Sequence, residues 1–111
     1  MPTPSAQLAA FAAHLRFEHL PQAVVRKTED LLVDWFGSAV AGHGSRPVAS
    51  IARFAQVMGA GQGAAEAIVS RTSNSPYLAA MANAAASHVA EQDDVHNGSV
   101  FHPATIVFPV A

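Results

Sequence analysis

Apolar positions along the chain recur mostly at helical spacing. Leu8, Phe11, Ala12 and Leu15 fall at i, i+3, i+4 and i+7, predicting a short helix over residues 4–15. Thr3-Pro4 opens it with a capping hydroxyl and a proline at the first helical position. Arg16 to Leu20 interrupts the pattern, and Pro21 starts the longest helix, expected over residues 21–41. Its apolar stripe is Val24, Thr28, Leu31, Leu32, Trp35 and Ala39, with Arg26, Lys27, Glu29, Asp30 and Asp34 on the wet side. Gly42-His43-Gly44 stops it. A third helix is expected over residues 47–58 with Val48, Ile51, Ala52 and Ala55 inward, and a fourth, opened by Ser75-Pro76, over residues 76–90. Small residues from Ala79 to Ser87 in the fourth helix allow close backbone approach. Between these two helices, Gly59 to Gly63 is a connector without the Lys-Ser/Thr of a phosphate loop, and Ala67-Ile68-Val69 is expected to be briefly extended. Trp35, Phe36 and Phe54 are expected in the core. The pattern predicts an all-α fold with little or no strand, as one helical domain over residues 1–111.

Composition supports that reading. Half of the 111 residues are apolar and 13% are charged, a balance that favours a packed core over disorder. Alanine dominates, and it loses no side-chain entropy in a helix. The six Lys and Arg are scattered and the net charge is −2, so no basic stripe suits a nucleic acid. Cysteine is absent, which removes disulfides and a thiol nucleophile. The opening residues carry no basic stretch followed by an apolar run, and no apolar run has the length of a membrane span. A soluble, cytoplasmic protein is the expectation.

Candidate chemistry is concentrated late in the chain. Three of the eight acids and three of the six histidines lie between His88 and His102. If the fourth helix continues into this run, His88, Glu91, Gln92 and Val95 share a face, and Asp93-Asp94 sit near its C-terminus, where the dipole disfavours negative charge. Acids placed against that preference suggest a task other than helix stability. One task is general acid–base catalysis, in which a carbon-bound proton is removed and a leaving group protonated. The other is binding of a divalent metal by Asp93, Asp94, His96 and His102. The Asp-Asp-x-His spacing matches no closed zinc pattern, and adjacent side chains point apart on a helix, so no metal is assigned.

The order of several segments carries a resemblance. Leu8 to Ala12, Leu15-Arg16-Phe17, Leu20-Pro21, Leu31 to Gly37, Arg71-Thr72-Ser73, Ala79 to Asn83, Ala86-Ser87-His88, Glu91 to His96 and His102-Pro103 together resemble the opening of MmgE/PrpD proteins. That family includes 2-methylcitrate dehydratase, cis-aconitate decarboxylase and iminodisuccinate epimerase. The resemblance implies a cofactor-independent enzyme, a lyase or isomerase acting on small polycarboxylates such as those of propionate metabolism. It also implies a helical domain joined to a smaller α/β domain, with the site in the cleft between them and a dimer as the assembly. By position, Glu91 matches the family's first acid, Asp93 and Asp94 its acidic pair, and His102 the histidine before proline. Gln92 stands where Phe is common, and Val95 where Thr often supplies a hydroxyl.

His102, Glu91 and Asp93 are therefore the expected catalytic residues. Asp94 is expected to bind substrate or to anchor the loop by accepting backbone N–H bonds. His96 and His88 are further candidates for substrate binding or loop anchoring. Arg71 is expected either to clamp a carboxylate or to form a structural ion pair. The apolar segment from Thr105 to Ala111 ends without a cap or polar tail, as expected of a helical-domain piece completed by the missing C-terminal part of a longer parent. Such a piece is expected to be inactive alone. The rival readings are a non-catalytic helical interaction module and a small metal-binding helical protein.

Overall fold

The computed structural model describes residues 1–59 and 62–111; Ala60 and Gly61 of the expected connector lie outside the described residues. The elements run α1 (Pro4–His14), a 3₁₀ turn (Phe17–His19), α2 (Gln22–Ala41), α3 (Arg46–Gly59), β1 (Ala65–Ala67), β2 (Thr72–Asn74), α4 (Pro76–His88) and α5 (Pro103–Val107). The four long helices lie where the apolar spacing predicts them. Thr3 caps α1 by accepting the Ala6 N–H, and Ser75 caps α4 by accepting that of Leu78. Pro21 is the cap of α2 rather than its first residue.

α4 is the hub. It packs against α2, α3, α5 and both strands. Its buried face is Leu78, Ala79, Ala82, Asn83, Ala86 and Ser87. Apart from Leu78, these side chains are small enough for neighbouring backbones to come close. Ala39 of α2, Val48 of α3 and Ala86 form one buried cluster, with Val69 and Val89 packed against it. Gly42, the C-terminal cap of α2, marks the closest approach: a Cβ there would run into the Ala86 carbonyl oxygen and lie 2.8 Å from Val89 Cγ1. Gly44 then turns the chain at φ +78°, a conformation that suits glycine.

The expected extension at Ala67-Ile68-Val69 is a hairpin instead. β1 and β2 pair antiparallel with Ala67 opposite Thr72, and Ile68 and Val69 fall in the turn. Asn83 fastens the hairpin to α4. Its Oδ1 accepts the Ile68 N–H at 2.7 Å and its Nδ2 donates to the Glu66 carbonyl at 3.0 Å.

Three expectations about burial and helix are corrected. Trp35 is buried and its ring lies 5.7 Å from that of Phe108, but Phe36 and Phe54 are half-exposed. Each sits one residue from a buried position, Trp35 and Ala55, so helical rotation turns it away from α4. In α2 only the second half of the stripe is covered, at Trp35 and Ala39, where Ser38 is buried beside them, while Val24 and Leu32 remain half-exposed. The third correction is α5, which apolar periodicity does not reveal because five residues are barely one turn. α1 buries no residue, and Leu8 and Phe11 (63% exposed) face outward. No helix among the described residues is long and apolar enough to cross a membrane.

Two substitutions test the hub. Gly42→Ala should destabilise the protein by about 1–3 kcal/mol, because backbone on α4 blocks the methyl. Asn83→Leu should cost about 1–3 kcal/mol by leaving the Ile68 N–H and Glu66 carbonyl unpaired. Urea denaturation measures both; wild-type midpoints for either variant would contradict this packing.

Candidate active site

His88 is the last residue of α4, and His102 is the residue before α5. Asp93 lies on the loop between them with its side chain fully buried. Its carboxylate faces both imidazoles. His88 Nδ1 lies 3.2 Å from Oδ1 and 3.2 Å from Oδ2, and His102 Nδ1 lies 3.2 Å from Oδ2. The two rings meet edge to face, with centroids 4.8 Å apart at 66°. A buried ionised carboxylate can only accept, so each Nδ1 that bonds to it must carry the hydrogen. In a neutral ring bonded in this way, Nε2 keeps its lone pair. His88 makes this bond with good geometry. His102 Nδ1 is at the same distance but is not aligned as a hydrogen bond, and it has no other partner among the described residues.

The loop's local structure produces this convergence. α4 stops at His88, and the chain reverses through Glu91, whose φ is +48° and whose backbone N–H donates to the His88 carbonyl at 2.9 Å. The shared helical face expected for His88, Glu91, Gln92 and Val95 therefore does not form. Asp93 and Asp94 leave the loop toward different partners. Asp94 Oδ1 accepts the Ala104 N–H at 2.9 Å, which supplies α5 with the side-chain cap that His102 does not give. Ser87 and Thr105 join their hydroxyls at 2.7 Å, tying α4 to α5 directly beside the two histidines.

The other expected site residues lie elsewhere. Glu91 is exposed, and among the described residues no hydrogen bond or ion pair reaches its side chain. His96 bonds Ser99 Oγ through Nδ1 at 2.9 Å in a small loop closed by a bridge between His96 and Phe101. Arg71 pairs with Glu66 at 2.6 Å on the exposed hairpin, so the structure gives it the ion-pair role and not a place beside the histidines. The sequence offers His88 only as a candidate for substrate binding or loop anchoring, and the structure joins it to Asp93. The only signal was two histidines flanking one acid across a loop of unknown path.

His88, Asp93 and His102 are also the residue types that hold a metal. Their nearest potential ligand atoms lie up to 4.8 Å apart. Two ligands on opposite sides of an ion at about 2.1 Å each span about 4.2 Å, so this spacing is too wide to close on one ion without movement. As placed, the set is a buried carboxylate between two imidazoles, one of which is hydrogen-bonded to it. Beside it, a cleft of about 580 Å³ is lined by Lys27, Asp30, Leu31, Asp34, Asp94, Val95, His96 and Pro103. Three carboxylates against one ammonium make that cleft a poor receptor for a polyanion.

The family model for the MmgE/PrpD N-terminal domain matches residues 6–111 of the chain. No curated protein and no solved structure matches it.

The cap role of Asp94 is directly measurable. Asp94→Ala should lower stability by about 1 kcal/mol through loss of the α5 cap. Thermal melting checks this, and an unchanged melting temperature would show that the Ala104 N–H needs no partner.

Proposed function

Because the chain belongs to the MmgE/PrpD family, we propose that it contributes the acid–base group of a cofactor-independent lyase acting on small polycarboxylates, of the 2-methylcitrate dehydratase type. The observation that carries this reading is the convergence of His88 and His102 on the buried carboxylate of Asp93. His102 is the general base. Its Nδ1 turns toward Asp93, and its Nε2 takes a proton from the carbon next to a substrate carboxylate. Electrons of the broken C–H bond flow into that carboxylate, and in a dehydration they then form the C=C bond as the β-hydroxyl leaves with a proton as water. Asp93 balances the positive charge that the ring acquires, as the buried acid does in hydrolase triads. Decarboxylation and epimerisation can begin with activation at the same centre. The absent hydroxyl at Val95 bears on which substrate is taken.

The remaining parts of the site are assigned to protein outside these residues. Among the described residues no Lys or Arg forms an ion pair with the three-residue group, and the adjacent cleft offers Lys27 alone against three carboxylates, which favours further cations from other protein. Outward-facing Leu8, Phe11 and Phe17, together with Ile106 and Val110, offer apolar surface to further protein, either the rest of a longer parent or a second subunit. The same surface favours, as a second reading, a helical interaction module that has lost catalysis.

The two readings separate by experiment. In a full-length parent, His102→Ala should lower kcat by about 10²–10⁴ while the fold is retained. The 111-residue chain alone should turn over no 2-methylcitrate and should self-associate in sedimentation. A full-length parent without turnover would favour the interaction module, and one whose kcat and KM are untouched by His102→Ala would overturn His102 as the base.

A further inference from the structure

We infer that His88 is a positioning residue that acts on His102 through Asp93, fixing which nitrogen of His102 is free to react. This rests on the proposed role of His102 as the base. His88 Nδ1 reaches both oxygens of Asp93 at 3.2 Å, a fork that sets the carboxylate's rotation about its own axis. With that rotation set, Oδ2 lies 3.2 Å from His102 Nδ1. Asp93 has no backbone N–H donor and no cationic Lys or Arg among the described residues, so the two imidazoles alone hold it. Removing His88 leaves a fully buried carboxylate with one poorly aligned partner. Such a group turns toward water or takes up a proton. In either case the carboxylate oxygen that lies 3.2 Å from His102 Nδ1 moves away or loses its charge, and with it the local field that favours the hydrogen on Nδ1 over Nε2.

His88 itself is suited to hold rather than to react. It is anchored by the last turn of α4, its neighbour Ser87 is locked to Thr105, and its ring meets that of His102 edge to face. A residue that only filled space would give the same contacts without the forked bond. The distinction lies in the donor at Nδ1, and asparagine places an amide N–H close to that position without a titrating ring.

The test uses ¹⁵N-labelled protein and long-range proton–nitrogen NMR of the His102 ring, with no need for turnover. Wild type should carry the hydrogen on Nδ1. His88→Leu should give mixed tautomers, and His88→Asn should restore the wild-type state. In a full-length parent, His88→Leu should lose about ten- to a hundredfold in kcat with KM unchanged, recovered in His88→Asn. If His88→Leu does not fold, Asp93→Asn takes its place and should likewise release the His102 tautomer. An unaltered His102 tautomer in His88→Leu, or in Asp93→Asn, overturns the inference. So does a His88→Asn enzyme that stays inactive with a wild-type tautomer, since His88 would then meet the substrate itself. A tautomer that responds as expected, in a parent indifferent to His102→Ala, would keep the positioning contact and reject the catalytic reading.

Discussion

The close approach of α4 to its neighbours is the constraint on which the rest of the structure depends. A 13-residue helix carrying alanine, serine and asparagine on its buried face can touch two helices, a hairpin and a short fifth helix at once. Leucine or phenylalanine in place of Ala79, Ala82 or Ala86 would hold the partners further away. Gly42 shows how little room remains, since its own side would collide with the Ala86 carbonyl if it bore a methyl. Small side chains bury little area each, so the stability of this hub rests on dispersion contacts and on satisfied polar groups. Asn83 and Ser87 are those polar groups, and each binds an element that leaves α4 in a different direction.

The candidate site follows from where that helix ends. His88 occupies the last turn of α4 and Ser87 is fixed to α5, so the two ends of the intervening loop are held by the core. Asp94 then fastens the loop to the start of α5, which leaves Asp93 facing inward between two rings. Adjacent acids thus do different work. One is a cap, whose acceptor meets an orphan helix N–H. The other is a buried carboxylate that accepts from the His88 imidazole, costly to leave unpartnered and held because its partners are themselves anchored.

Against that tight centre stands a loosely covered periphery. α1 buries nothing, the first half of α2 shows its apolar stripe to solvent, and Ile106 and Val110 face outward. The tight packing of the molecule is thus concentrated around α4, while α1, the first half of α2 and the end of the chain keep exposed apolar side chains.

Local signals settled the framework from the sequence alone. Thr3-Pro4 and Ser75-Pro76 place helix starts through hydroxyl caps and prolines, and the spacing of Val48 to Ala55 places an inward face, because these effects act within a turn or two of chain. The late acidic and histidine-rich run was legible as chemistry, and the family could be read from the order of motifs. Which side chains meet was not legible. The run reads as a continuing helix, whereas the chain reverses at Glu91 and delivers Asp93 to His88, five residues back, and to His102, nine residues on. Trp35 and Phe36 are alike by hydropathy, yet only Trp35 finds Phe108, a partner far along the chain. Loop path and the pairing of distant residues are set by packing between elements. That packing depends on every side chain at the contact together, and no local window of sequence contains it.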